Sequence, residues 1–246
     1  MEFENAYNNP LLYDKENEKI CDDIKFWELI VKTHNIKNVL EVGCGTGRIA
    51  KHIINYVSSY TGIDMSKNFI DYFYKNFKSN KIKLICDNVI SYSFNQRFDC
   101  IILPANFISH FEKNDEVENL LYRLSLCLEN DGIIVIDYYN PQLRFLDMNI
   151  EKVFCYDFEY DNEKIRVYES HNYNEFKQVN TIERFYYSGD KLVNKSKLPI
   201  RVFFRQELEY IINKSELKIN QVYGDYDCRN IELYSPKLIY ILGLCS

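Results

Sequence analysis

Gly43, Gly45 and Gly47 stand at alternate positions behind a short apolar run, Val39, Leu40 and Val42, and ahead of Arg48–Ile54, whose apolar residues fall at helical spacing. A strand, a glycine turn and a helix start form a nucleotide-binding corner. Without Cβ atoms the backbone lets a ligand come into contact, and free N–H groups point at it. Asp64 follows Gly43 by 21 positions, at the end of the next apolar strand. A carboxylate there can accept both hydroxyls of a ribose. An ordinary tight strand–helix turn also uses glycine, but a glycine triplet costs stability unless backbone approach requires it.

The residue ahead of the glycines narrows the ligand. A dinucleotide fingerprint reads Gly-x-Gly-x-x-Gly, with alanine tolerated last. Counted from Gly43, the last place falls on Arg48 and the pattern fails. Counted from Gly45, it runs through Gly47 to Ala50 and is met in relaxed form, so a nicotinamide dehydrogenase stays open. The spacing Glu41-x-Gly43-x-Gly45-x-Gly47 is the one seen where S-adenosylmethionine binds. An acidic residue before the glycines suits a cationic ligand better than a pyrophosphate.

A chain of 246 residues makes one domain with an insertion, or a domain and a half. Its hydrophobic share of 46% allows a sizeable core, and its net charge of −6 argues against a nucleic-acid partner, which clustered Lys and Arg would have to neutralise. Lys191 to Arg201 is the one basic stretch and reads as a solvated loop. The eight cysteines form no C-x-x-C pair and have no histidine at ligand spacing, so neither a metal site nor a disulfide framework is expected. Cys86 and Cys100 fall in apolar strands, where cysteine behaves as a small hydrophobe. The first residues are polar and acidic, unlike a signal peptide, and no apolar run approaches the roughly 20 residues of a membrane helix. The expectation is a cytoplasmic protein, monomer or homodimer, with no membrane partner.

Strands and helices must position the corner. After a polar start with Tyr7 and Tyr13, Ile20, Ile24, Trp27 and Val31 share a helix face. Strands are expected at Val39–Val42, Tyr60–Asp64, Ile82–Asp87, Phe98–Leu103 and Ile133–Tyr139. Ser66 can cap a helix that buries Phe69, Ile70, Phe73 and Phe77. Another helix begins near Asn114, buries Val117, Leu120, Leu121, Leu124 and Leu128, and is ended by Asn130-Asp131-Gly132. Apolar strands joined by helices imply a parallel sheet covered on both faces.

The pattern changes after Pro141. Phe154, Tyr156, Phe158 and Tyr160 alternate with polar residues and share one face, and Asp161-Asn162 signals a hairpin. Ile165–Tyr173, Val179–Tyr187 and Ile200–Phe204 continue an antiparallel meander. A helix with Leu208, Ile211 and Ile212 then leads to last strands at Leu217–Tyr223 and Leu238–Leu242. The fold expected is α/β, a Rossmann-like, mostly parallel seven-stranded sheet with helices on both faces. Residues 1–150 and 206–246 would form the cofactor domain, and 151–205 an antiparallel insertion serving as a lid over the carboxyl ends of the strands.

The sequence resembles the class I S-adenosylmethionine-dependent methyltransferases over most of its length. The resemblance rests on Glu41–Gly47, Gly62-Ile-Asp-Met-Ser66, Cys86-Asp87-Asn88 and Phe98–Pro104. It is closest to a small-molecule subgroup that includes amino-sugar and glycine methyltransferases. The matching residues are Tyr13-Asp14, Asn106-Phe107 with His110, Asp137 with Asn140-Pro141, and Tyr223–Tyr226. It departs near Leu217, where Ser215-Glu-Leu217 replaces a usual Ala-Gly-Phe.

The resemblance implies S-adenosylmethionine as cofactor. Glu41 and the Gly43–Gly47 backbone with Cys44 would hold the methionine moiety, and Asp64 the ribose. Met65, Asp87, Asn88 and Val89 would surround the adenine, and Leu103 would touch the cofactor through its backbone. Tyr13 would close the methionine end and is carried as a second catalytic candidate.

Methyl transfer is an in-line displacement that asks for alignment and exclusion of water. A hydroxyl acceptor usually also asks for a base. His110 is the candidate base, or else a histidine that fixes its loop. Asn106, Tyr138 and Asn140 could line the acceptor pocket, or merely satisfy loop backbone. The Asn/Asp-Pro-Pro-aromatic motif of nucleic-acid amino methyltransferases is missing after the fourth strand, where Leu103-Pro104-Ala105-Asn106-Phe107 stands. The expectation is metal-independent transfer to a small molecule, at an amine nitrogen or alternatively a hydroxyl. A non-catalytic cofactor-binding subunit is the reading of another class.

Overall fold

A computed structural model describes residues 9–18, 21–146 and 150–245. Tyr7 and Ile20 lie outside them. The described chain divides into two compact units, residues 21–140 with 204–245 and residues 9–18 with 141–203.

The first unit is built on β1 (Asn38–Val42), β2 (Ser59–Asp64), β3 (Ile82–Cys86), β4 (Phe98–Leu103), β5 (Leu128–Tyr139), β10 (Leu217–Tyr223) and β11 (Lys237–Leu244). They form one sheet in the order β10-β11-β5-β4-β1-β2-β3. The five strands from β3 to β5 run parallel, and β11 enters antiparallel between β5 and β10. The strand order reverses between β1 and β4, and ligands of open sheets bind at such a switch point, beyond the carboxyl ends.

Helices α2 (Ile24–Thr33), α3 (Ala50–Ile53) and α4 (Lys67–Asn76) pack Trp27, Ile53 and Phe73 into a core with Val39, Tyr60, Ile102, Val135 and Ile239. Those strand residues alternate with Leu40, Ile63, Ile101 and Ile136, also buried, which face the other way. α5 (Asn114–Leu126) and α7 (Arg205–Asn213) pack on each other and on β10. Ser66 caps α4 as read, its Oγ accepting from the Phe69 N–H at 3.4 Å.

Most boundaries in this unit fall within two residues of the expectation, and two differ by more. α5 stops at Leu126, and β5 already starts at Leu128, paired with Phe98. The next partners are Cys100 and Ile133, so Glu129–Asp131 bulge outward and are exposed. Asn130-Asp131-Gly132 thus breaks a strand register, not a helix. The helix after the glycines is also a single turn, Ala50–Ile53, with the loop running on through Arg48 and Ile49.

The second unit is a four-stranded antiparallel sheet of β6 (Ile150–Tyr160), β7 (Glu163–Asn174), β8 (Val179–Ser188) and β9 (Lys191–Arg201), with α1 (Pro10–Asn17) and the short α6 (Leu143–Leu146). Asp161 and Asn162 take φ of 53° and 62° and turn the first hairpin. Lys191–Arg201 is the edge strand, not a solvated loop, and displaces the strand expected at Ile200–Phe204. Its lysines and Pro199 blunt a free edge, which hides a strand from a hydrophobic pattern.

A register shift between Phe154 and Tyr156 splits the expected aromatic row. Phe154 pairs with Tyr168 and is exposed, while Tyr156, Phe158 and Tyr160 cluster with Ile165, Val167 and Tyr186. One extra residue turns a side chain to the opposite face.

α1 was read only as a polar segment. Its start is nonetheless marked, because Asn9 Oδ1 accepts from the Leu12 N–H at 3.0 Å and Pro10 fills the first position. Eight residues are too few for a helix to persist alone. The anchor is Glu16, which accepts from Tyr156, from Tyr186 at 3.2 Å and from Arg184 at 3.1 Å, while Arg184 also pairs with Glu169 at 2.6 Å. Arg184 keeps Glu169 when Glu16 is removed, but the Tyr156 and Tyr186 hydroxyls lose a charged acceptor, so Glu16→Ala should destabilise this unit by about 1–3 kcal/mol. Urea unfolding should read that loss, with residues 9–18 becoming the first site of proteolysis.

Candidate functional site

The loops after β1 and β4 flank the point where the strand order reverses, the crevice at which open sheets bind ligands. Gly43, Gly45 and Gly47 all take positive φ, at 72°, 52° and 82°. A Cβ on Gly43 would stand 2.5 Å from the Phe107 ring, and one on Gly47 equally close to the Phe73 ring. Gly45 is different, since a Cβ there would meet only Phe69, at 3.6 Å. Two glycines therefore serve packing, and Gly45 leaves a cradle open on its outer side.

The loop amides are not free, contrary to expectation. Those of Gly43 and Cys44 donate to Ile63 O, that of Gly45 to Asp64 Oδ2 at 2.9 Å, and that of Gly47 to Cys44 O. They fix the loop against β2. Cys44 is buried, and burial raises its thiol pKa.

Glu41 is 2% exposed and accepts from the Tyr60 hydroxyl at 2.7 Å. Burial pushes its carboxyl up to about 8, against the opposing Tyr60 bond and the Arg48 charge. Arg48 is held by Asp23 through paired bonds of 2.7 Å, and Trp27 Nε1 donates to the same carboxylate at 3.1 Å. Asp64 at the end of β2 accepts from Ser66 at 2.8 Å and from Gly45. Burial raises its pKa, and those two N–H bonds hold it down.

Met65 is 71% exposed beside Asp64. Asp87, just past β3, is exposed and accepts from the Asn88 N–H at 2.7 Å. Asn88 Oδ1 accepts from Ile90, while Val89 and Leu103 are buried. These carboxylates and an exposed thioether lie along neighbouring strand ends, so the donor set fits a cationic nucleoside. Tyr13 is on α1, in the other unit.

On the β4 side, Phe107–His110 form one 3-10 turn. The His110 ring stands 6.1 Å from Phe107, edge to face. It keeps an open surface, yet the protein around it lowers its pKa, with Asp64 pulling the other way. Asn106 Oδ1 accepts from the Tyr139 N–H at 2.7 Å, and Asn140 Nδ2 donates to Ser235 O at 2.8 Å. Both side chains are thus engaged with backbone. Tyr138 is 0% exposed and lies in the core.

The sequence reading gave Asp137 no role, although it interrupts the apolar run Ile133–Ile136. It is fully buried and binds Ala105, Tyr226 and Lys237. No cluster of three or more metal-ligating side chains occurs among the described residues, and none of their helices is long and apolar enough to cross a membrane.

Two outcomes follow. Gly47→Ala meets both left-handed strain and the Phe73 ring and should cost about 3 kcal/mol, whereas Gly45→Ala carries the strain alone, about 1–2 kcal/mol; urea titration of both variants should rank them so. Glu41 binds its proton more tightly folded than unfolded, so its stabilising contribution is complete below its ordinary value and lost as pH rises through about 8. Melting curves should therefore show Glu41→Gln gaining on the parent protein as pH rises from about 5 to 8.

Residues 39–132 match the family model described as a methyltransferase domain. A solved S-adenosylmethionine-dependent methyltransferase from Clostridium acetobutylicum aligns with a TM-score of 0.78 at 17% identity, over 98% of this chain and 100% of that one. A sugar N-methyltransferase from Streptoalloteichus sp. aligns at 0.77 and 12%, over 98% and 96%. A malonyl-acyl-carrier-protein O-methyltransferase from Acetivibrio thermocellus is 24% identical over 104 residues, 42% of this chain and 35% of its own. The chain spans less than half the length of the first curated relatives it matches. An antiparallel β11 beside β5 also departs from the 3-2-1-4-5-6 dinucleotide fold. Residues 39–132 thus carry the match to a methyltransferase domain, and the fold of the chain is that of solved S-adenosylmethionine-dependent methyltransferases.

Proposed function

We propose that the protein transfers a methyl group from S-adenosylmethionine to a small-molecule acceptor, at an amine nitrogen. The observation that carries this reading is the pairing of an open cradle at Gly45 with Glu41, Asp64 and Asp87 on three neighbouring strand ends. The bound cofactor supplies an electrophilic methyl group on a sulfonium.

Asp64 would accept the ribose hydroxyls with the lone pairs that Gly45 and Ser66 leave open. Met65 would lie against the adenine, with Asp87 accepting its amino group and Asn88 and Val89 lining that edge. Glu41 would face the ammonium of the methionine end, and the cation would then favour its ionised form. The backbone of Gly43, Cys44, Gly47 and Leu103 completes the wall. Tyr13 is proposed at the methionine end on resemblance alone.

Transfer to a hydroxyl is the second reading. The lowered pKa of His110 favours it, because the ring stays neutral, and able to accept a proton, to lower pH than an ordinary histidine. A neutral amine already offers its lone pair and needs alignment more than a base. The fold neighbours include a sugar N-methyltransferase and an amino pentose methyltransferase, and a curated relative is an O-methyltransferase.

Labelled S-adenosylmethionine mixed with a small-molecule pool should pass its label to an acceptor. No transfer, with the cofactor bound, would favour a non-catalytic subunit. In calorimetry Asp64→Ala should weaken cofactor binding about 10- to 100-fold, since bonds to a charged group are lost. With the acceptor in hand, His110→Ala should slow transfer about 10²- to 10⁴-fold for a hydroxyl and much less for an amine.

A further inference from the structure

The loop after β4 carries two consecutive non-glycine residues in left-handed conformation, Ala105 at φ 52° and Asn106 at φ 60°. Side chains disfavour this region, and such geometry persists only where neighbours over-determine it. β5 supplies the neighbours. The Ala105 N–H donates to Asp137 Oδ2 at 3.0 Å, the Asn106 N–H to the Asp137 carbonyl at 3.1 Å, and the Tyr139 N–H to Asn106 Oδ1 at 2.7 Å.

Asp137 is itself fixed on both oxygens. The Tyr226 hydroxyl donates to Oδ2 at 2.9 Å and the Lys237 ammonium to Oδ1 at 3.0 Å. The Lys237 ammonium also lies 4.7 Å from the centre of the Tyr226 ring, which packs on Phe26 of α2. The turn then launches the 3-10 segment, with the Ser109 N–H donating to Asn106 O at 2.8 Å and the Phe107 N–H to Pro104 O at 3.0 Å. That segment lays Phe107 on Gly43 and ends at His110.

We propose that Asp137, clamped between Tyr226 and Lys237, is a positioning residue that imposes the left-handed Ala105–Asn106 turn and thereby sets where His110 stands beside the crevice. This rests on the reading of the crevice as the transfer site. It gives an acid that touches neither cofactor nor acceptor a part in aligning the acceptor side, separate from the carboxylates on β1 to β3.

The test uses Asp137→Asn, which keeps the shape and removes the charge, and Tyr226→Phe, which removes one bond and leaves the Lys237 pair. Hydrogen exchange of the Ala105 and Asn106 amides should quicken about 10- to 100-fold in Asp137→Asn and less in Tyr226→Phe. The His110 ring, followed by NMR, should titrate at higher pH in both, as it leaves its surrounded place. Cofactor affinity should stay within about threefold of the parent protein. Once an acceptor is known, kcat should fall with the cofactor KM unchanged.

Unchanged exchange and an unmoved His110 titration in folded Asp137→Asn would overturn the proposal; if that variant does not fold, the same result in Tyr226→Phe would do so. Cofactor affinity falling in step with amide protection would also overturn it, because Asp137 would then be supporting the whole corner. Failure of the transfer reading shows elsewhere, as label that never leaves the cofactor, while the exchange and titration still judge the clamp.

Discussion

Acid buried under α2 is the constraint around which this crevice is arranged. Asp23, Glu41 and Asp137 are 3%, 2% and 0% exposed. Taking an ionised carboxylate out of water costs several kcal/mol unless a cation and hydrogen bonds replace the lost hydration. Each acid meets that cost differently. Asp23 has the planar fork of Arg48 and the Trp27 N–H; Asp137 has Lys237, a phenol and a main-chain amide. Among the described residues Glu41 has only the Tyr60 hydroxyl at bonding distance, and burial raises its pKa to about 8.

These solutions tie together elements far apart in the chain. Arg48 must follow the glycine loop directly if it is to reach α2, so the loop is braced from outside while its own amides are turned inward onto β2. Phe107 closes over Gly43 from the β4 side and Phe73 over Gly47 from α4. The glycines are thus required by aromatic rings at two positions and leave room at one. A glycine motif read only as a ligand surface misses that division.

Much of this was legible from sequence where apolar periodicity and turn residues agreed. β4 was read to the residue, and so was β10; the buried residues of α7 and the Ser66 cap also match. Failures have local causes. β9 hid because an edge strand is polar by necessity, and α1 because the eye weighed its polarity over the Asn9-Pro10 start signal. The bulge at Glu129–Asp131 mimicked a helix stop, and the one near Cys155 broke an alternation that a sequence cannot show to be broken. Of the buried and strand-end carboxylates, Glu41 and Asp64 could be named from spacing and Asp87 from the resemblance, but the partners of the buried acids could not. Tyr60 reaches Glu41, Arg48 reaches Asp23 and Lys237 reaches Asp137 only in the folded chain, Lys237 from 100 positions away.

That last separation orders events on the ribosome. Chains are made from the amino end, and a domain generally folds as a unit. Glu41, Asp64 and Asp87 are all synthesised before β4, yet β1 lies between β2 and β4 and Gly43 lies under Phe107, so the glycine half waits for the later strands. Asp137 then emerges while its cation is still unmade, and Lys237 arrives only with β11, the strand that pairs with β5. Docking of this late strand therefore completes both the hydrogen bonding of the sheet edge and the electrical neutrality beneath it in one step.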